Sequence, residues 1–202
     1  LPQRPSDLQT FLDRSQAAIM AFLPPVGEPM RVARRIDEGL RQVAEQAPRT
    51  PNRLPVGEHI PSALAAARAE GGAIASLADA FAAIEPQLNW ERRWTAKPGD
   101  APFYDGHANA TIIGPEGLEK RDDIWIGVSL LAPHIRYPDH HHPPQEIYIA
   151  LSPGDWMQGD DDNWVTPGIG GYVYNRSDIM HAMRSHDRPL LAIWSLWVMD
   201  RV

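Results

Sequence analysis

Apolar residues recur at helical spacing along the first third of the chain. Leu8, Phe11, Leu12, Ile19 and Phe22 form one stripe behind a Ser6-Asp7 start, and Pro24-Pro25 stops it because neither proline can donate to a following turn. Val32, Ile36, Leu40 and Val43 form a second stripe and predict a helix over 30–46. Segment 47–61 holds Pro48, Pro51, Pro55 and Pro61 and reads as an extended connection. An Ala-rich stretch from Ser62 to Ile84 reads as helix again, divided in two by Gly71-Gly72.

After Pro86 the pattern changes to short apolar runs broken by turn residues. Trp94, Trp125, Trp156, Trp164, Trp194 and Trp197 lie here, and every tyrosine lies beyond residue 100. The runs predict strands over 88–94, 108–113, 124–131, 145–151, 171–174, 181–185 and 190–198. Lys97-Pro98-Gly99-Asp100, Gly114–Gly117 and Ser152–Asp155 punctuate them. The expected fold is mainly β with N-terminal helices: a small barrel or sandwich over 87–202, with residues 1–86 packing on it as a helical extension. No internal repeat and no low-complexity tract is present.

Composition narrows the function. The net charge of -7 comes without a basic stripe, which argues against a nucleic-acid partner. No apolar run approaches the roughly 20 residues of a membrane span. Asp7, Asp13 and Arg14 interrupt the first segment, unlike a secretory signal. The chain has no cysteine, which removes disulfides, thiolate nucleophiles and thiolate metal sites and fits a cytoplasmic placement. Neither a nucleotide-phosphate loop nor a Gly-x-Ser-x-Gly elbow occurs. The acidic run Asp160–Asp162 lacks the glycine and glutamate of a Ca²⁺ loop and reads as a hairpin turn.

The chemistry concentrates in Tyr137-Pro138-Asp139-His140-His141-His142-Pro143-Pro144-Gln145-Glu146-Ile147-Tyr148. Alternate side chains of a strand share a face, so His140 pairs with His142, and Glu146 pairs with Tyr148 across the bend that Pro143-Pro144 imposes. Two imidazoles and a carboxylate can then converge. His181, after the turn-like Asn175–Asp178, is the candidate for a further imidazole. Such an N/O set suits one divalent transition metal, with Zn, Fe, Mn, Ni and Co all admitted. His59, His107, His134 and His186 show no ligand spacing.

These residues resemble the cupin superfamily, whose first motif has three or four residues between a His-x-His pair and Glu and whose second motif supplies a later His. His140, His142 and Glu146 match the first and His181 the second. The chain departs from the pattern: Gly154 comes one residue late, and Asn175–Ser177 replaces the Pro-x-Gly of the second motif. The resemblance implies a jelly-roll barrel over about the last 110 residues. Within the superfamily, Tyr137, the His pair, Glu146 with Tyr148, His181 and the aromatic last strand are similar to the dimethylsulfoniopropionate (DMSP) lyases of the DddQ type. That similarity implies His142, Glu146, His181 and Tyr148 around the metal, with His140 as a further ligand or as support for one. It implies Tyr148 or Tyr137 as base, and cleavage of a sulfonium carboxylate to dimethyl sulfide and acrylate.

The reaction makes physical sense with these residue types. A cation on the substrate carboxylate stabilises the charge that develops when the neighbouring proton leaves. Tyrosine, a poor base at its ordinary pKa of about 10, becomes a better one beside a metal. Trp194, Trp197, Tyr137 and Trp125 can face the sulfonium, although the odd spacing of Trp194 and Trp197 lets only one of them point inward on a regular strand. Arg136 and Arg184 could pair the carboxylate. Two other readings stay open: another metal cupin enzyme, such as an Fe(II) dioxygenase or an isomerase, and a non-enzymatic cupin that binds a small molecule.

Overall fold

The computed structural model describes residues 3–47, 50–159 and 162–198. Pro48, Asp160 and Asp161, which the sequence places in the proline-rich connection and the acidic run, lie outside them.

Helices α1 (Ser6–Phe22), α2 (Glu28–Leu40), α3 (Ile60–Glu70) and α4 (Gly72–Ile84) form the N-terminal part, and a single turn, α5 (Phe103–Gly106), follows later. Gly71 and Gly72 separate α3 from α4 at φ of 80° and 57°, a region that L side chains rarely adopt. Helix α2 ends six residues earlier than its apolar stripe predicts. The carbonyl of Gln42 accepts from Arg121 at 2.6 Å and from Arg4 at 3.3 Å, and Glu119 accepts from the amide of Ala44 at 3.1 Å. Those partners draw the backbone out of the helix, and Glu45–Gln46 becomes strand β1. No helix among the described residues is long and apolar enough to cross a membrane.

The strands that follow are β2 (His107–Ile113), β3 (Glu119–Lys120), β4 (Ile124–Leu131), β5 (Arg136–His140), β6 (Gln145–Ala150), β7 (Asp155–Gln158), β8 (Trp164–Val165), β9 (Tyr172–Asn175), β10 (His181–Arg184) and β11 (Leu190–Trp197). The expected strand over 88–94 is absent. That segment follows a short 3-10 turn at Glu85–Gln87 and touches its neighbours only through the bridges Asn52↔Asn89 and Glu91↔Asn109. One sheet runs β1-β3-β2-β4-β11-β6-β9 and a second runs β5-β10-β7-β8.

The period of two gives the larger sheet two unlike faces. Ile126, Val128 and Leu130 of β4, Leu191 and Ile193 of β11, and Ile147 and Ile149 of β6 lie in one continuous core with Phe11, Ile36, Leu77 and Phe81 of the helices. Each such side chain taken out of water contributes about 1.5–3 kcal/mol. The alternate positions turn away from the helices toward the second sheet. There Tyr148, Ala150, Val173 and Ala192 pack with Tyr137, Trp156 and Met183.

Candidate metal centre

Register brings the site together. In β6, Glu146 lies opposite Asn175 of β9 and Leu196 of β11. In β10, His181 lies opposite His140 of β5. His142 follows β5, and its loop is tied down: the amide of Asp178 donates to the His142 carbonyl at 3.0 Å, and the Ser177 hydroxyl donates to the Pro143 carbonyl at 2.6 Å. The result is a cluster in which one ligand atom each from His142, Glu146 and His181 lies within 4.8 Å of the others. Glu146 Oε2 is 3.4 Å from both His142 Nε2 and His181 Nε2.

The tautomers are set from behind. Nδ1 of His140, of His142 and of His181 each lies 2.9 Å from a backbone carbonyl, those of Pro138, Pro144 and Ile179 respectively. A carbonyl only accepts, so each Nδ1 carries the proton and each Nε2 presents a lone pair. His181 Nε2 is buried and, among the described residues, has no hydrogen-bond partner. A buried polar atom left unsatisfied is costly, and a cation at the cluster would satisfy it. The donor set therefore fits one divalent transition metal, with borderline N and O ligands that do not select among the candidates.

Burial alone would raise the Glu146 carboxyl, but contacts with His142 and His181 outweigh it and hold the group well below the usual carboxylate range. Burial would lower His142, and the Glu146 carboxylate reverses this and raises it. His140 is pushed down to about 3, first by burial and then by the neighbouring His181, so it stays neutral around pH 7. Its ring centroid is 4.0 Å from that of His181, beside the three-residue cluster.

The cluster borders a cavity of about 460 Å³ lined by Trp125, Trp194, Tyr137, Tyr148, Arg93 and Asn109, among others. Trp194 fits because Gly127 lies opposite it in β4; a Cβ there would sit 2.2 Å from the indole. Tyr148, also opposite Trp194, is buried. Burial and the Glu146 carboxylate push its phenol well above the ordinary value. Tyr137 stands 4.9 Å from His140, ring to ring, and accepts from Asn109 Nδ2 at 3.2 Å. Burial raises its phenol too, against the lowering effects of Arg93 and Asn109.

Several expected placements differ. Trp197 lies one strand position off the cavity row, opposite Ile124, and packs against the helix-side core. Arg136 and Arg184 are also away from the cavity: both lie over the Trp164 ring, and Arg184 and His186 bond Asp155. Other residues went unmarked in the sequence. Buried Asn175 donates to Glu146 Oε2 at 2.8 Å while its own oxygen accepts from Gln158 at 2.6 Å, which fixes the carboxylate's orientation. His107 is fully buried; its Nδ1 donates to the Phe103 carbonyl and its Nε2 accepts from the Arg93 amide. The Asn175–Ser177 departure from the cupin pattern was the one visible sign of the first, and nothing pointed to the second.

A family model for dimethylsulfoniopropionate lyase matches residues 29–192. The dimethylsulfoniopropionate lyase DddQ of Ruegeria pomeroyi is 32% identical over 128 residues, covering 62% of this chain and 62% of that protein. The chain thus spans less than two thirds of that relative's length. The putative dimethylsulfoniopropionate lyase DddL of Cereibacter sphaeroides is 28% identical over 165 residues, covering 79% of this chain and 68% of that protein. The crystal structure of DddQ from Ruegeria pomeroyi superposes with a TM-score of 0.71 at 24% identity, covering 98% of this chain and 95% of that one. A structure from a study of the DMSP lyases RdDddP and RnDddQII gives a TM-score of 0.71 at 18% identity, covering 97% and 94%. At these identities the two structures show the fold: a helical segment followed by a strand-rich, cupin-like domain.

Proposed function

The chain belongs to the dimethylsulfoniopropionate lyase family, and from that premise we propose that it is a metal-dependent carbon–sulfur lyase cleaving DMSP to dimethyl sulfide and acrylate. One observation carries the reading: His142 and Glu146, clustered with His181, line the same cavity as Tyr148, Trp125 and Trp194. A divalent cation there would draw charge from the substrate carboxylate and favour loss of the adjacent proton. His142, Glu146 and His181 would hold it, with His140 supporting His181.

Tyr148 is our candidate base, with Tyr137 as the alternative on the facing wall. Burial and Glu146 favour the neutral phenol of Tyr148, so the role needs the bound cation, which would favour the phenolate; that oxygen would then take the proton from the carbon next to the carboxylate. The C–H electron pair becomes the new carbon–carbon double bond, and the carbon–sulfur bond breaks with its pair leaving on sulfur. Trp125 and Trp194 present aromatic faces to the sulfonium. Asn175 keeps Glu146 oriented, and Asn109 directs the Tyr137 hydroxyl.

The organisation we propose is a helical extension over 1–86 and a site-bearing jelly-roll barrel over 87–202, its two sheets forming the cavity walls. The test is headspace detection of dimethyl sulfide from the purified chain supplied with DMSP, with and without a chelator. Chelator-sensitive release with acrylate in equal amount supports the lyase. Two imidazoles and a carboxylate are also the ligand set of Fe(II) oxygenases. Oxygen uptake during turnover, without sulfide release, would move the assignment there.

A further inference from the structure

Arg92, which also lines the cavity, is occupied: it donates to the Tyr104 carbonyl and pairs with Asp105. Away from the cavity, Arg136 pairs with Asp139 and Arg184 with Asp155. Arg93 is different. It lines the cavity, and its guanidinium lies 5.4 Å from the centroid of the Tyr137 ring. Among the described residues it makes no ion pair and no side-chain hydrogen bond. A guanidinium has five donors in a fixed planar fork, and none of them is spent on another described residue.

Its position is built. The backbone bridge Glu91↔Asn109 closes with two hydrogen bonds of 2.8 Å and anchors the segment to β2. Two residues on, the Arg93 amide donates to His107 Nε2 at 2.8 Å. His107 is itself fixed by the Phe103 carbonyl at 2.6 Å and by the Phe103 ring stacked on it at 3.7 Å. Phe103 in turn meets Tyr137 edge-on at 5.0 Å. A fully buried histidine thus sets where the arginine leaves the backbone, and the same aromatic group supports the ring it lies over.

The cavity therefore has a cationic corner at Arg93 and an aromatic wall at Trp194 and Trp125. In β4, Ser129, whose hydroxyl bonds Asn109, and Trp125 are four residues apart, roughly 13 Å along the strand. We propose that Arg93 is the specificity-determining anchor for the carboxylate end of the substrate and sets the direction in which a sulfonium carboxylate enters. The inference rests on the carboxylate substrate of the proposed function. A carboxylate has two oxygens, so one remains for a guanidinium when the other is taken by a cation. The opposite orientation would set the sulfonium against the arginine and leave the indoles without a cation.

The test is a calorimetric or ligand-observed NMR titration of the full zinc-loaded chain with propionate and with propionamide, its uncharged counterpart. Neither probe can undergo the elimination. Arg93→Gln is expected to weaken propionate about tenfold or more, the scale of a lost charge-assisted bond, and to leave propionamide unchanged. Arg93→Lys should fall between, because the charge persists without the fork. Unchanged zinc content and near-UV circular dichroism show that the variants stay folded. Propionate binding indifferent to Arg93→Gln, equal weakening of both probes, or no propionate binding by the wild-type chain would overturn the proposal. Charge-dependent binding in a chain that releases no dimethyl sulfide would keep Arg93 as a carboxylate anchor and reject the lyase alone.

Discussion

The two faces of the seven-stranded sheet are made from the same strands, one residue apart, and carry opposite burdens. Toward the helices, Ile126, Val128, Ile147, Ile149 and Ile193 form an apolar layer. Toward the cavity, Ser129, Glu146, Tyr148 and Trp194 place polar and aromatic groups in positions that are also largely buried. Apolar burial is the favourable term that offsets the cost of holding Glu146 and His181 in a dry site. A one-residue slip in β6 or β11 would exchange the faces and remove the site.

Six substitutions, in four groups, sharpen this contrast. The largest effect is expected on the cavity face from His142→Ala, Glu146→Ala or His181→Ala. Each should abolish stoichiometric metal and reduce turnover by roughly 10³-fold or more, as loss of a metal that stabilises developing charge implies. Elemental analysis and dimethyl sulfide release measure the pair. Full metal content in His181→Ala would show that the distant imidazole was chosen wrongly.

Tyr148→Phe on the same face should separate the two readouts. Metal content should stay unchanged, while turnover falls by about 10²–10⁴-fold, the usual contribution of a positioned base. Undiminished turnover would remove Tyr148 from that role and direct attention to Tyr137.

On the helix face the expected loss is of stability alone. Ile193→Ala deletes part of a buried side chain and should cost about 2–5 kcal/mol in denaturant unfolding. The fraction that remains folded should bind metal as before. A loss of metal in fully folded Ile193→Ala protein would mean that the two faces are not independent.

The smallest effect is expected in β3, next to the edge strand β1. Glu119 is buried and bonded to Arg4 at 2.5 and 2.9 Å, to Gln46 and to the Ala44 amide. Burial would raise its carboxyl, and these donors together hold it lower than usual. A carboxyl depressed in the folded state contributes stability above its unfolded pKa, and that contribution is lost as pH falls through the folded value. Glu119→Gln should therefore destabilise by about 1–3 kcal/mol at neutral pH, and the gap to the wild type should narrow as pH falls below about 4.5. A gap constant across that range would exclude the ionised form as its source.

The same contrast explains what could be read from the chain. The helix stripes and the strands over 108–113, 124–131 and 190–198 follow from local periodicity, because one face of each element is uniformly apolar. His142 and Glu146 were legible because a short segment holds both, and His181 because the cupin pattern sets aside a later histidine. The end of α2 was hidden, since the carboxylate that draws out the chain is Glu119, 75 residues from Ala44. Asn175 and His107 were hidden for a related reason. Their partners, Glu146 and the Arg93 amide, are 29 and 14 residues distant, and they meet through the pairing of β6 with β9 and through the bridge Glu91↔Asn109. The odd spacing of Trp194 and Trp197 allowed only one of them inward, and which one it is depends on the pairing of β11 with β4, where Gly127 lies opposite Trp194.

The central claim is that one cation held by His142, Glu146 and His181 is required to split DMSP. The most direct measurement is a stoichiometric titration of chelator-stripped chain with Zn, Fe, Mn, Ni or Co, following bound metal and dimethyl sulfide release together. The account predicts that, for at least one metal, both rise in parallel and break at one equivalent per chain, and that Glu146→Ala shows neither break. Release that proceeds at full rate without metal, or a bound equivalent of every metal with no release, would contradict it.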